Sequence, residues 1–328
     1  MKKYKYGVII GKFYPLHKGH EYLIRTGIEN CDLLTVLVCT LERETIPGKL
    51  RHIWVKETFP ECRVIHVSDD LPQYPEEHPD FWSIWKSVII KNHPEKIECI
   101  LSSEEYGNTL SEILDCIHLQ VDPERKNFTV SGTMCRKDPI KYWDLLSVSA
   151  RPYFLKRVVI TGSESTGKTT LCRKLAEYFH TEWVPEYGRI YLENKGSEME
   201  KSDLEIIGKG QAELEDRLSL SAEKVLICDT DLIITEMYSE WYYSFCPESV
   251  RKEIIRRKYD LHILLEPDVP WVKDGLRDFP DRRIEFRDEL LRKLAEYGCR
   301  TVRVSGNYED RFEKTVKLIL DILSSKKE

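Results

Sequence analysis

"KRVVITGSESTGKTTLCRKLAEYF", residues 156–179, runs from an apolar strand through a glycine-bounded turn into a helix. The pattern G-x-x-x-x-G-K-[ST] occupies 162–169. Glycines at both ends let backbone N–H groups close round phosphate oxygens, Lys168 reaches the outer phosphates of a triphosphate, and the Thr169 hydroxyl suits Mg²⁺. The helix N-terminus adds the positive end of its dipole. Gly162, Ser163, Glu164, Ser165, Thr166, Gly167, Thr169 and Thr170 are therefore expected to line a nucleotide, with ATP as co-substrate. Strand, turn and helix in this order also place this half of the chain in the α/β class.

Working outward, "KVLICDTD", "LHILLE" and "TVRVSG" read as further buried strands of the same half. Asp229 and Asp231 stand at the end of the first of these, where a nucleotide enzyme holds its Mg²⁺ shell or its substrate. "WVPEYGR" supplies Glu186 and Arg189, and a carboxylate there can take a proton from a substrate hydroxyl. "WVKDGLRDFPDRR" carries Arg277, Arg282 and Arg283 in a turn-rich stretch that suits a lid over ATP. The first half repeats the plan: "YGVIIGKFYPLHKGHEYLIRTGIEN", then "DLLTVLVC", "CRVIHVS" and "IECILSS". Apolar strands alternating with helices predict two doubly wound parallel-sheet domains. The boundary is expected near Arg151-Pro152, giving domains 1–152 and 153–328.

Composition excludes several classes. The 328 residues are 41% hydrophobic and 32% charged, ordinary for a globular protein with real cores. No apolar run approaches the roughly 20 residues of a membrane helix, and the basic N-terminus leads into a strand-like segment rather than a signal peptide. Ten cysteines are scattered without a C-x-x-C pair, as reduced core residues would be. A cytoplasmic protein without a membrane or nucleic-acid partner is expected, and the net charge of −6 agrees.

In "GKFYPLHKGH", residues 11–20, His17 and His20 share one face at a helix start. A metal site, a packed turn and a phosphate cradle are the three readings. A metal would need further ligands, and no Glu or Cys is suitably spaced. A phosphate cradle needs only the amides and Lys12 already there, with Gly11 for the tight turn and Gly19 for close approach of a nucleotide. The stretch resembles the HxGH signature of a nucleotidyltransferase superfamily. That superfamily's second motif, S-x-T-x-x-R, stands here as Ser131, Thr133 and Arg136. The resemblance implies a Rossmann-like domain that transfers a nucleotidyl group onto a phosphate, with Phe13 beside the nucleotide and His17, His20, Lys12 and Arg136 offsetting triphosphate charge.

An HxGH adenylyltransferase followed by a P-loop kinase resembles the NadR-type bifunctional enzymes over nearly the whole chain. "YP…W…W" at 74–85, "SSE" at 102–104, "EYGR" at 186–189, "DTD" at 229–231 and "WVKDGLR" at 271–277 carry it. The resemblance implies phosphorylation of nicotinamide riboside by the second half. It implies adenylylation of nicotinamide mononucleotide to NAD, with release of pyrophosphate, by the first. It makes Trp82 and Trp85 candidates to stack on nicotinamide and Arg51 a candidate for the mononucleotide phosphate. Ser103, Glu104, Tyr187, Arg189, Asp231 and Trp271 become candidate substrate contacts. Glu186 is expected as the kinase base and Asp229 in the Mg²⁺ shell, two roles that can be exchanged; Arg277 would act on the transferring phosphoryl group. Some members carry an N-terminal helix-turn-helix; with a strand starting within the first ten residues, an enzyme without direct operator binding is expected here. A fused phosphopantetheine adenylyltransferase and dephospho-coenzyme A kinase is one rival reading, and a non-catalytic sensor of NAD and ATP is another. A homo-oligomer is compatible with the sequence.

Overall fold

The computed structural model describes residues 2–272 and 280–325. The chain forms two compact units, Met1–Arg151 and Pro152–Ser325. In the first, β1 (Tyr4–Gly11), β2 (Cys31–Cys39), β3 (Arg63–Val67), β4 (Cys99–Ser102) and β5 (Ile117–Gln120) form a sheet of order β3-β2-β1-β4-β5. In the second, β6 (Lys156–Thr161), β7 (Trp183–Val184), β8 (Val225–Asp229), β9 (Leu261–Leu265) and β10 (Thr301–Val304) are ordered β10-β9-β6-β8-β7. Every pairing is parallel.

The strands are apolar on both faces because helices cover both. In β9, Leu261, Ile263 and Leu265 join one core with Leu171, Leu175 and Ile319, while Leu264 points the other way to Phe286 and Leu290. In the first unit, Phe81, Trp85 and Ile89 from the helix Phe81–Asn92 cover Val8, Ile10 and Ile100. Each such side chain contributes roughly 1.5–3 kcal/mol when buried. The edge strands are the faint ones: β7 has two residues, and β5 leaves Ile117 exposed, so neither makes an apolar run.

In both sheets the strand earliest in the chain lies at the centre, with later strands added on either side. The connections therefore diverge beyond its carboxyl end and leave a crevice there. Between β1 and β4 that crevice receives the turn after Gly11; between β6 and β8 it receives the turn after Thr161. All ten cysteines are free, and among the described residues no helix is long and apolar enough to cross a membrane.

Candidate active sites at the two glycine turns

In the second unit the loop after β6 has φ of +141° at Gly162 and +86° at Gly167. A side chain at Gly162 would come within 2.7 Å of the Leu265 carbonyl, and one at Gly167 within 2.7 Å of the Tyr308 ring. Only glycine fits either place. The helix Lys168–Phe179 follows, and Lys168 Nζ curls back to the Ser163 carbonyl at 3.1 Å. Thr166 Oγ1 donates to the same carbonyl at 2.8 Å. Ser163 Oγ is buried without a partner, while Thr170 is exposed.

Thr169 Oγ1 donates to Asp229 Oδ2 at 2.5 Å, joining the loop to the end of β8. Asp229 is buried and its Oδ1 has no hydrogen-bond partner. Burial pushes its carboxyl up, against the pull of Lys168 and Thr169. A hydroxyl beside a carboxylate with a spare oxygen is a donor set suited to a hard divalent cation. Glu186 stands just ahead of the helix Tyr187–Lys195. Burial also raises its carboxyl, with Lys168 and Arg189 opposing and Asp229 and Glu164 reinforcing the shift. The loop, Lys168, Thr169, Asp229 and Glu186 thus form one electrostatic cluster.

Other expected contacts lie differently. Asp231 is buried and uses both oxygens internally: Oδ1 accepts from Ile233 N at 3.0 Å and Oδ2 from His262 Nε2 at 2.8 Å. Although burial opposes it, Asp231 and Cys299 raise the His262 ring to about 9. Asp231 caps the helix Leu232–Tyr243. Tyr187 gives its N–H to Gln211 Oε1 at 2.7 Å and stacks on Tyr191. Arg189 Nε reaches Glu193 at 3.1 Å. The Trp271 indole N–H is buried without a hydrogen-bond partner, and Arg277 lies outside the described residues. Tyr238 escaped the sequence reading: its hydroxyl donates to Glu164 at 3.3 Å, and its ring stacks on Tyr242. The aromatic run "MYSEWYY" at 237–243 was its one signal.

In the first unit His17 caps the helix Lys18–Asn30, its Nδ1 accepting from His20 N at 3.3 Å. The two rings stack at 3.6 Å between centroids, and Phe13 meets His20 edge-on at 5.0 Å. Phe13 itself is buried at a φ of +47°. A side chain at Gly19 would come within 3.2 Å of the His17 ring, so this glycine makes room for a histidine as well as for a ligand. Burial, then Arg125, lowers the His17 ring to about 4. Burial, His17 and Arg125 hold His20 well below its ordinary value. Both rings are therefore neutral at pH 7, and because His17 Nδ1 is an acceptor its proton sits on Nε2. They offer N–H groups to a phosphate. In the ligand-free protein, an NMR titration of His17 should find its midpoint near 4. A midpoint above about 6 would show an ordinary, chargeable imidazole.

Arg136 Nη2 donates to Thr133 Oγ1 at 3.1 Å, its Nη1 to the Tyr14 carbonyl, and its guanidinium lies 4.0 Å over the Tyr14 ring. Ser131 caps the helix Gly132–Lys137 that carries it. The two motifs thus meet at Tyr14. Arg51 is fully buried, giving Nη2 to Glu44 at 2.5 Å and Nη1 to the Lys12 carbonyl at 3.0 Å. Glu44 also faces Lys12 Nζ at 3.3 Å, so Arg51 fixes the carboxylate that steadies the lysine. Trp85 is likewise a core residue, its indole N–H given to the Pro72 carbonyl at 3.0 Å, while Trp82 stays half-buried against Phe81. Positions 81, 85 and 89 share the helix's buried face, and position 82 lies off it. Ser103 lies at the β4 exit, and Glu104 pairs at 3.5 Å with Arg125, a cation the sequence reading did not single out.

Comparison with known proteins places the chain among nucleotide enzymes. Residues 157–311 match the model of a family described as AAA domain. The trifunctional NAD biosynthesis/regulator protein NadR of Escherichia coli (strain K12) is 33% identical over 346 residues, covering 98% of this chain and 84% of that protein. A crystal structure of NadR protein in complex with NAD and AMP-PNP is 25% identical with a TM-score of 0.80, covering 100% of this chain and 99% of that one. Another, in complex with NR, is 24% identical with a TM-score of 0.81, covering 100% and 98%, and shares the fold.

Proposed function

The chain belongs to the NadR family, and from that premise we propose that its two glycine turns run consecutive steps of NAD formation. The protein is an enzyme of NAD biosynthesis, with ribosylnicotinamide kinase and nicotinamide mononucleotide adenylyltransferase activities. The kinase step is assigned to the second unit and the adenylyl transfer to the first. The observation that carries this reading is the presence of two chemically different phosphate cradles, each at a sheet's switch point.

In the second unit the 5′-hydroxyl of nicotinamide riboside attacks the γ-phosphorus of ATP, and ADP leaves. Glu186 accepts the hydroxyl proton; its raised carboxyl lies closer to neutral pH than an ordinary glutamate, which favours that transfer. Lys168 and the loop's N–H groups hold charge on the phosphates. Thr169 and Asp229 would hold Mg²⁺, which would supply positive charge beside the triphosphate. In the first unit a phosphate oxygen of the mononucleotide bonds to the α-phosphorus of ATP as the bond to the β-phosphate oxygen breaks. No covalent enzyme intermediate is needed, so the site works by alignment and electrostatics. His17 and His20 donate neutral hydrogen bonds, and Lys12 and Arg136 bring the positive charge.

The test is a chromatographic product assay with purified protein, Mg-ATP and nicotinamide riboside. The expected result is the mononucleotide first, then NAD and pyrophosphate. If neither appears, the nicotinamide assignment fails, and dephospho-coenzyme A and phosphopantetheine are the substrates to try next.

A further inference from the structure

The C-terminal helix Tyr308–Ser324 looks from its sequence like plain packing. It contains Arg311, which is 1% exposed and has every side-chain nitrogen engaged. Nη1 donates to the Thr166 carbonyl at 2.5 Å, Nε to the Gly306 carbonyl at 2.8 Å and Nη2 to the Glu266 carbonyl at 2.8 Å. Nη2 also pairs with Asp268, whose other oxygen accepts from Gly306 N at 2.7 Å. One guanidinium thus joins the phosphate loop to the exits of β9 and β10. A leucine would fill this place without the desolvation penalty of a buried cation.

A second arginine takes the neighbouring peptide. Arg283 donates Nη1 to the Val269 carbonyl at 3.0 Å and Nη2 to the Ser165 carbonyl at 3.4 Å. The carbonyls of Ser165 and Thr166 are consecutive, and both are gripped from outside the loop. In a trans peptide the C=O and the following N–H point in opposite directions, and the one cis bond among the described residues is Tyr14-Pro15. Drawing these two carbonyls outward turns the N–H groups of Thr166 and Gly167 to the opposite side, where a phosphate lies in a loop of this kind. A cation at the carbonyl end also polarises each peptide, making its N–H a stronger donor.

We propose that Arg311 and Arg283 are positioning residues for ATP in the second unit, setting two phosphate-binding N–H groups from behind the loop. The proposal rests on the kinase reading above. It gives these arginines no contact with substrate; they act through the backbone.

The test is steady-state phosphorylation of nicotinamide riboside by the full chain, with ATP and the riboside varied separately. Arg311→Gln should raise the KM for ATP by about tenfold or more, the scale of losing charge-assisted hydrogen bonds to the loop. The KM for the riboside should stay within about twofold, a split that general loosening of the unit would not produce. Arg283→Met, at a less buried site, should raise the KM for ATP by about threefold. An Arg311→Gln chain that folds with the parent's KM for ATP overturns the proposal. If Arg311→Gln does not fold, Arg283→Met decides: an unchanged KM for ATP there overturns it equally. A parent chain that does not phosphorylate the riboside removes the kinase reading and this proposal together, which separates that failure from failure of the arginines alone.

Discussion

Alanine at Lys168 is expected to lower riboside phosphorylation by about 10²–10³-fold, the scale of removing one preorganised donor from a transferring phosphoryl group. NAD formation from the mononucleotide should be unaffected in the same sample. The substitution suits the purpose because Lys168 opens the helix Lys168–Phe179, where alanine is a strong helix former. The Thr169–Asp229 contact does not depend on it. What disappears is the ammonium lying over the Ser163 carbonyl, the cation that would follow the phosphates as charge shifts. Kinase activity within tenfold of the parent would remove Lys168 from the mechanism. Loss of both activities would mean that the two steps do not use separate sites.

The mirror experiment is His20→Ala. NAD formation should fall by about 10²–10³-fold while riboside phosphorylation is kept. His20 is a cleaner target than His17. His17 Nδ1 caps the helix that carries both, and losing a cap costs about 1 kcal/mol, which would mix stability into the rate. The neutrality of the pair sharpens the expectation. If His20 acts as a neutral N–H donor, His20→Asn keeps a donor of similar kind and should recover part of the rate. Were a positive charge required, asparagine would be no better than alanine. NAD synthesis at the parent's rate in His20→Ala would sink the assignment outright.

Much of this architecture can be read without coordinates, and the reasons are local. Gly162 and Gly167 sit at positive φ where other residues would be strained, and the spacing to Lys168 and Thr169 follows from the geometry of one turn. Six strands besides β1 and β6 announce themselves by apolar runs; β5, with Ile117 exposed, and the two-residue β7 make none. What the sequence does not show is the set of partners brought in from elsewhere along the chain. Arg51, a candidate for a phosphate, is held by Glu44 and the Lys12 carbonyl. Asp231, a candidate substrate contact, shares one oxygen with His262 from β9. Trp85, a candidate for stacking, gives its indole N–H to the Pro72 carbonyl. Arg311 is the extreme case, because its charge gives no hint in the sequence that it faces inward to the Thr166 carbonyl. Periodicity tells which side of a helix is buried; it does not tell which buried charge has found acceptors.

The central place of β6 in its sheet also governs when the second unit can work during its own synthesis. β6 leaves the ribosome before β8 (Val225–Asp229) and β9 (Leu261–Leu265), the strands that flank it. Until both have emerged, the glycine turn lacks Asp229 beside Thr169, the Leu265 carbonyl against Gly162, or both. Arg311 follows later still. The nucleotide loop is thus among the first parts of the unit to be translated and among the last to be assembled, as long-range parallel pairing requires. A nascent chain stalled before β9 should not be retained on immobilised ATP through this unit, whereas the released full-length protein should be.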